Sequence, residues 1–274
     1  MKARPFVCFS KGNLSRLPIV SVALAACALL TLLPGAGPVH SAAALPPVKI
    51  GAAGPYSGDL SKIGLDGLNA IKMAVEEANA AGGVRGRKIE IVEADDAGDS
   101  SKAILVAEKL AMDRAVLGVV GPMNSSTVEA ALPTYQRAGL PIISQSATKP
   151  SLTEMGYKVM HRICPRDDAQ GPASAKFVVD VLKAKNVYII DDKTAYGQGL
   201  SDEVEAALKA SGIKPVRSQI TLEDRDFSPI LTRVKAARPD LLYLGLANPA
   251  QAASIIKQAA GLGISVRFMG GDGL

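Results

Sequence analysis

Residues 116–148 read VLGVVGPMNSSTVEAALPTYQRAGLPIISQSAT. The apolar runs at Val116–Val120 and Leu140–Ile143 predict two short β-strands, and Ser126–Ala138 between them predicts a helix. A strand, a helix and a second strand in succession make a βαβ unit, in which the two strands are parallel. The stretch therefore predicts a fold of the α/β class.

Each of these two strands is followed by a turn rich in hydroxyl groups, at Asn124–Thr127 and at Ser144–Thr148. A helix N-terminus leaves backbone N–H groups unpaired and carries partial positive charge, so it attracts carboxylates and phosphates. Ser, Thr and Asn are also ordinary helix N-caps. The turns alone leave open whether they bind a small anion or only cap helices.

The same alternation of strand and helix continues through the rest of the chain, in two rounds. An irregular stretch with a proline, Arg162–Arg166, separates the rounds, and the second round includes helices predicted to begin at Gly171 and Gly199. Alternation of this kind predicts parallel sheets with helices on both faces. We therefore expect two doubly wound parallel-sheet lobes joined by a hinge, the first spanning residues 44–163 and the second residues 164–274.

In open parallel sheets, ligands bind beyond the carboxyl ends of the strands. The residues expected there are hydroxyls, amides, small residues, two tyrosines and several carboxylates, a set that suits a small polar ligand. They are Gly54–Gly58, Asp95–Asp96, Asn124–Ser126, Ser144–Thr148, Asp191–Gly197, Ala247–Asn248 and Gly271–Asp272.

Residues 1–43 have the pattern of a secretory signal peptide. Four basic residues and no acidic one accompany the apolar run Leu17–Leu33, and small residues follow to Ala44. Export to the periplasm is the interpretation, with cleavage between Ser41 and Ala44. The alternative is a lipoprotein anchored through Cys27, because the residues before it resemble a lipobox.

The composition beyond the leader argues for binding and against catalysis. Four of the 31 basic residues lie in the leader, so 27 basic residues face 26 acidic ones, and nothing favours nucleic-acid binding. Cys164 and His161 are the only cysteine and histidine of the mature part, so no metal cluster is expected. The mature part shows no nucleophile–base pair, and no Gly-rich cofactor loop follows its first strand. We therefore expect no cofactor and no enzyme activity.

A set of short segments in a fixed order carries a family resemblance. These are Val48–Gly51, Gly54–Gly58, Ala81–Arg87, Asp95–Asp96, Gly121–Ser126, Ala195–Gly199, Asp226–Pro229 and Phe268–Gly273. Their order and spacing over residues 46–274 resemble type I periplasmic binding proteins of the leucine/isoleucine/valine-binding class.

The resemblance implies roles for residues in both hydroxyl turns. Ser125 would bind the α-carboxylate of an amino acid. Ser146 and Thr148, with Ala147 between them, would hold the carboxylate and the ammonium through backbone and hydroxyl groups. These assignments favour ligand binding over capping for the two turns.

The resemblance also implies residues that close the site and line its wall. Tyr196 would cover the ligand from the second lobe, and Asp272 would face the α-ammonium. The family commonly has an aromatic residue where this chain has Ile63 and a tyrosine where it has Ala247. The wall is therefore expected to be aliphatic and more open, which leaves the side-chain specificity undecided.

The expected function is that of an extracytoplasmic solute-binding component of an ABC importer. It would capture a branched-chain amino acid or a related amino-acid-like or amide ligand and deliver it to an inner-membrane permease, as a monomer. The alternatives are a ligand-sensing domain of a receptor or regulator and an enzyme on the same scaffold. Family chains continue beyond the position of Leu274, so we also expect a C-terminal truncation that leaves the first lobe with an exposed edge and exposed apolar surface.

Overall fold

The computed structural model describes residues 45–274, so the predicted signal peptide and the alternative anchor Cys27 lie outside the described residues. Five parallel strands form the first sheet, in the order β2-β1-β3-β4-β5. The strands are β1 (Val48–Gly54), β2 (Ile89–Asp95), β3 (Val116–Val120), β4 (Ile142–Ser144) and β5 (Met160–Arg162). The helices that connect them are α1 (Ser61–Ala80), α2 (Ser100–Met112) and α3 (Ser125–Ala138), and a 3₁₀ turn at Pro150–Thr153 precedes β5.

The second sheet has four parallel strands in the order β7-β6-β8-β9. The strands are β6 (Val187–Asp191), β7 (Val216–Gln219), β8 (Leu241–Gly245) and β9 (Arg267–Gly270). Their helices are α4 (Asp167–Asp180), α5 (Ala195–Ala210), α6 (Ser228–Ala237) and α7 (Pro249–Gly261). In both sheets the strand order reverses beside the first strand, and this is the position at which such sheets bind ligands.

The apolar composition of the central strands explains their place in the core. All five residues of β6 and all five of β8 are buried, as expected for parallel strands covered by helices on both faces. Each lobe has its own apolar core, and the first is built around β1, β3, β4, α2 and α3. The predicted fold class, two parallel-sheet α/β lobes, is confirmed.

Part of the first sheet carries exposed apolar side chains. Leu117 of β3 and Ile143 of β4 are 57% and 44% exposed. No helix within residues 45–274 is long and apolar enough to cross a membrane.

Some predicted boundaries are wrong. Helix α4 begins at Asp167 and α5 at Ala195, each four residues before the predicted start at Gly171 or Gly199. In α4, acidic side chains fill the first turn, where they favour the helix through its dipole without any apolar periodicity. Residues 163–166 remain as the connection from the first sheet to the second.

Candidate ligand-binding site

The start of α3 lies at the carboxyl end of β3, beside β1. Gly121, at the end of β3, has φ of +110°, and a Cβ atom there would lie 2.0 Å from the carbonyl oxygen of Ala53. Only glycine permits this approach. The Asn124 side chain makes no capping hydrogen bond, and its buried Oδ1 has no partner among the described residues. The simple N-cap explanation therefore fails at Asn124.

Hydroxyl groups join the turn after β3 to the turn after β4. Ser144 Oγ donates to the carbonyl of Pro122 (2.7 Å), and Ser146 Oγ donates to that of Met123 (2.9 Å). The buried Ser125 hydroxyl accepts only a long bond, 3.4 Å, from the Lys149 N–H. The two turns thus lie side by side, and the Ser125 hydroxyl is still able to donate to a ligand.

Two of the expected ligand-binding residues lie behind this surface and not on it. Ala147 is fully buried, its N–H donates to Ser144 Oγ (3.2 Å) and its carbonyl accepts from Arg162 (2.9 Å). Both backbone groups of Ala147 are therefore used within the protein. Thr148 is 2% exposed, and its hydroxyl has no hydrogen-bond partner among the described residues.

The second lobe contributes Tyr196, at the first turn of α5, and Asp272, after β9. The Tyr196 hydroxyl donates to Asp272 Oδ1 (2.9 Å) and accepts from the Gly273 N–H (3.1 Å). Burial, followed by the neighbouring Asp272 carboxylate, raises the pKa of Tyr196 above its ordinary value, so the phenol stays neutral. A further hydrogen bond joins the lobes, from the Ala195 N–H to Ser126 Oγ (3.0 Å).

These groups surround a cavity of about 230 Å³ between the lobes. Ser125 and Ser146 lie on its first-lobe side and Tyr196 and Asp272 on its second-lobe side, so the structure brings four of the six predicted residues together. The complete lining is Ile63, Met123, Asn124, Ser125, Ser146, Tyr196, Ala247, Pro249, Asp272, Gly273 and Leu274.

A second cavity, of about 240 Å³, adjoins the first. The two share Asn124, Ser125, Tyr196 and Ala247. Ala247, with its single methyl group, thus lies where the two cavities meet. The wall is open at this position.

The sequence reasoning did not identify Asp167, the first residue of α4. Its side chain is fully buried, and neither carboxylate oxygen has a hydrogen-bond partner among the described residues. The pKa of Asp167 is raised to about 6, mainly by burial and to a smaller extent by the charge of Asp272. The Thr148 hydroxyl partly offsets this rise, although the two groups do not form a hydrogen bond of ordinary geometry.

A buried carboxylate without a partner is costly and rare in folded proteins. It is most common where a ligand supplies the missing partner or where the group has a chemical role. The only signal for Asp167 in the sequence was its position next to the predicted hinge.

The remaining acidic pair, Asp95 and Asp96, stabilises a loop. Asp95 Oδ1 accepts hydrogen bonds from the N–H groups of Tyr56, Ser57 and Ala97, and Asp96 Oδ1 accepts one from the N–H of Gly98. Among residues 45–274, no group of three or more His, Cys, Asp or Glu side chains could hold a metal ion.

Comparison with known proteins agrees with this geometry. The model of the periplasmic binding protein family matches residues 47–273. The chain belongs to the periplasmic binding protein family. The predicted family resemblance is therefore confirmed.

Individual members of the family show the same relationship. An amino acid binding protein of Pseudomonas aeruginosa is 38% identical over 232 residues, which cover 84% of this chain and 62% of the relative. A leucine-, isoleucine-, valine-, threonine- and alanine-binding protein of the same organism is 36% identical over 228 residues, with 83% and 61% covered. This chain thus spans about three fifths of the length of these relatives.

A solved structure of the family superimposes on both lobes. The branched-chain amino acid transporter substrate binding protein of Streptococcus pneumoniae, in complex with isoleucine, has a TM-score of 0.76 and 32% identity. The match covers 83% of this chain and 64% of that protein. The relatives are solute-binding proteins and not enzymes.

Proposed function

We propose that this chain is the solute-binding component of an ABC importer and captures a branched-chain amino acid or a closely related solute between its two lobes. The observation that carries the proposal is the cavity with hydroxyl groups on one side and the carboxylate of Asp272 on the other. A zwitterion is the simplest ligand that satisfies both sides at once, and relatives named for binding leucine, isoleucine and valine support the choice.

Hydroxyl and amide groups form the proposed site for the ligand carboxylate. Ser125 donates its hydroxyl, and the first-turn N–H groups of α3, which no side chain caps, add the positive end of the helix dipole. Lys149, which directly follows the second hydroxyl turn, is already paired with both carboxylate oxygens of Glu129 at 2.9 Å. The carboxylate is thus bound by neutral donors.

One carboxylate that lines the cavity, Asp272, forms the proposed site for the ligand ammonium, and Tyr196 holds it in place. Asp167 does not line the cavity, but it is buried close enough to Asp272 for the two charges to interact. An ammonium group would form charge-assisted hydrogen bonds with Asp272. Its positive charge would also offset part of the cost of the buried, unpartnered carboxylate of Asp167.

The side chain of the ligand would lie against an apolar wall formed by Ile63, Met123, Ala247 and Pro249. A wall without an aromatic or charged side chain suits an aliphatic group, whose burial adds affinity in proportion to the apolar area removed from water. The space beyond Ala247 would also admit a longer side chain.

The proposal includes delivery of the ligand to an inner-membrane permease from the periplasm, by a monomer whose lobes close about residues 163–166. Hinge closure around a ligand is the usual motion of two-lobed binding proteins. The sensor alternative uses the same site with a different downstream partner. The enzyme alternative would reveal itself through turnover of an amide ligand.

The test is a thermal-shift screen of the purified chain against the twenty amino acids and their amides. A ligand that binds only the folded state raises the melting temperature once its concentration exceeds the dissociation constant. We expect leucine, isoleucine and valine to give the largest shifts. If no amino acid shifts the melting temperature while solutes of another class do, the proposed ligand class is wrong.

A further inference from the structure

The segment that connects the two sheets also holds the second hydroxyl turn in place. Arg162, the last residue of β5, donates through Nη1 to the carbonyl oxygens of Ala147 and Lys149, both at 2.9 Å. The carbonyl between them, that of Thr148, accepts from the N–H of Asp167 at 3.1 Å. Three consecutive carbonyls of the turn are thus bound by residues at the two ends of the connection.

The same guanidinium extends its contacts beyond the turn. Its Nη2 donates to the carbonyl of Pro150 (3.1 Å) and to Thr153 Oγ1 (2.7 Å). Arg162 therefore makes four hydrogen bonds to residues 147–153, and these join the turn to the 3₁₀ turn after it.

This arrangement decides which way the turn faces. Because the carbonyls of residues 147–149 point toward Arg162 and Asp167, the Lys149 N–H and the Ser146 hydroxyl are left to point toward the other turn. The N–H of Lys149 indeed points to the Ser125 hydroxyl, and Ser146 reaches Met123. The orientation of the anion-binding side depends on the connection.

We propose that Arg162 is a positioning residue for the ligand site: its guanidinium fixes the turn at Ser146–Thr148, and through it the Ser125 hydroxyl, in the orientation that binds the ligand carboxylate. This inference rests on the proposed amino-acid-binding function. Arg162 touches no ligand itself and acts through the carbonyls that it holds.

Arginine suits this role because its planar fork presents several donors in fixed directions. A lysine at the same position keeps the positive charge but carries a single flexible ammonium, which cannot reach the four acceptors with the same geometry. The R162K variant thus separates the positioning effect from the effect of charge.

The matched control is R87K. Arg87 also binds backbone carbonyls through its guanidinium, those of Pro46 (2.6 Å) and Pro47 (3.1 Å). It lies just before β2, at the amino end of the strands, whereas the residues of the cavity follow the carboxyl ends. Its replacement changes the same kind of contact without touching the ligand site.

The experiment measures leucine binding by calorimetry well below each variant's melting temperature, and backbone hydrogen exchange of the ligand-free proteins by mass spectrometry. We expect R162K to weaken leucine binding about tenfold. The lysine cannot replace all four hydrogen bonds of Arg162, and their combined loss is expected to produce this change. R87K should keep the wild-type affinity. Exchange should become faster in peptides covering residues 144–153 of R162K and not of R87K.

Chemical rescue of leucine binding by guanidinium ion distinguishes positioning of the turn from a general structural role. Millimolar guanidinium ion should strengthen leucine binding by R162A relative to sodium ion at equal ionic strength, and should leave wild-type binding unchanged. Wild-type affinity in both R162K and R162A, or unchanged exchange of residues 144–153, would overturn the positioning role. If the wild type binds no amino acid, the proposed function fails, and the exchange data still decide whether Arg162 fixes the turn.

Discussion

Replacing Asp167 with asparagine should stabilise the ligand-free protein and weaken ligand binding at the same time. Asparagine has the shape of aspartate but no charge. Asp167 is fully buried and its oxygens have no hydrogen-bond partner among the described residues. The charge is therefore unfavourable until a cation occupies the site. Opposite effects on stability and affinity distinguish a ligand-binding carboxylate from a structural one.

The shift in pKa sets the size of the stability effect. Burial raises the pKa of Asp167 from 3.8 to about 6. Because one pKa unit corresponds to about 1.4 kcal/mol, the charged form costs the folded protein at most about 3 kcal/mol near pH 7. The folded state binds the proton more tightly than the unfolded state, so protonation of Asp167 stabilises the folded protein. That stabilisation is complete below pH 3.8 and is lost as the pH rises through about 6.

The same titration predicts how affinity depends on pH. A bound ammonium favours the charged carboxylate, so affinity should be highest above pH 6 and should fall about tenfold between pH 7 and pH 5, where most of the ligand-free protein carries the proton. Asp167 acts on the ammonium from outside the cavity lining, so D167N should bind leucine about tenfold more weakly, as the wild type should at pH 5. D167N should also lose the pH dependence.

Denaturant unfolding and calorimetry at pH 5 and pH 7 measure both effects. Asp96 provides the control, because it is also buried with a pKa raised to about 6, but the charges that act on it are those of Asp95 and Asp99 and not that of the cavity residue Asp272. D96N should keep the wild-type affinity and its pH dependence. If D167N is less stable than the wild type and binds leucine equally well, the argument for Asp167 is refuted.

Three further changes test other parts of the site, each by calorimetry and thermal melting. S125A should weaken leucine binding about tenfold and shift the melting temperature by less than about 3 °C, because the Ser125 hydroxyl makes only the long bond to Lys149. A large drop in stability with intact binding would contradict this. Y196F should weaken binding about tenfold, because Asp272 loses the donor that orients it; unchanged affinity would place Asp272 outside the site. A247F should fill the space between the two cavities, so it should change the ratio of the alanine and leucine affinities about tenfold in favour of alanine. An unchanged ratio would show that Ala247 does not contact the ligand side chain.

The sequence predicted most of the fold because its strands are short apolar runs separated by helices with clear periodicity. It missed β5, at Met160–Arg162, because His161 and Arg162 leave no apolar run of the kind that marks β4. It placed the start of α4 at Gly171 because the acidic first turn at Asp167–Asp168 has no apolar periodicity, although its charge favours the helix N-terminus.

Within the site, the residues that follow strands were predictable and the residues at the connection were not. Ser125, Ser146 and Asp272 each follow a strand, where parallel sheets place ligand-binding groups. Asp167 and Arg162 matter because of what folding brings around them: burial without a hydrogen-bond partner for Asp167, and four acceptors for Arg162. Neither environment can be deduced from neighbours in the chain.

The central claim is that the cavity recognises both charged groups of an amino acid. The most direct measurement is calorimetry with three ligands: leucine, leucinamide, which lacks the carboxylate, and isocaproate, which lacks the ammonium. We predict that both analogues bind at least about thirtyfold more weakly than leucine, since each leaves one side of the cavity without its charged partner. An analogue that binds as tightly as leucine would contradict the claim.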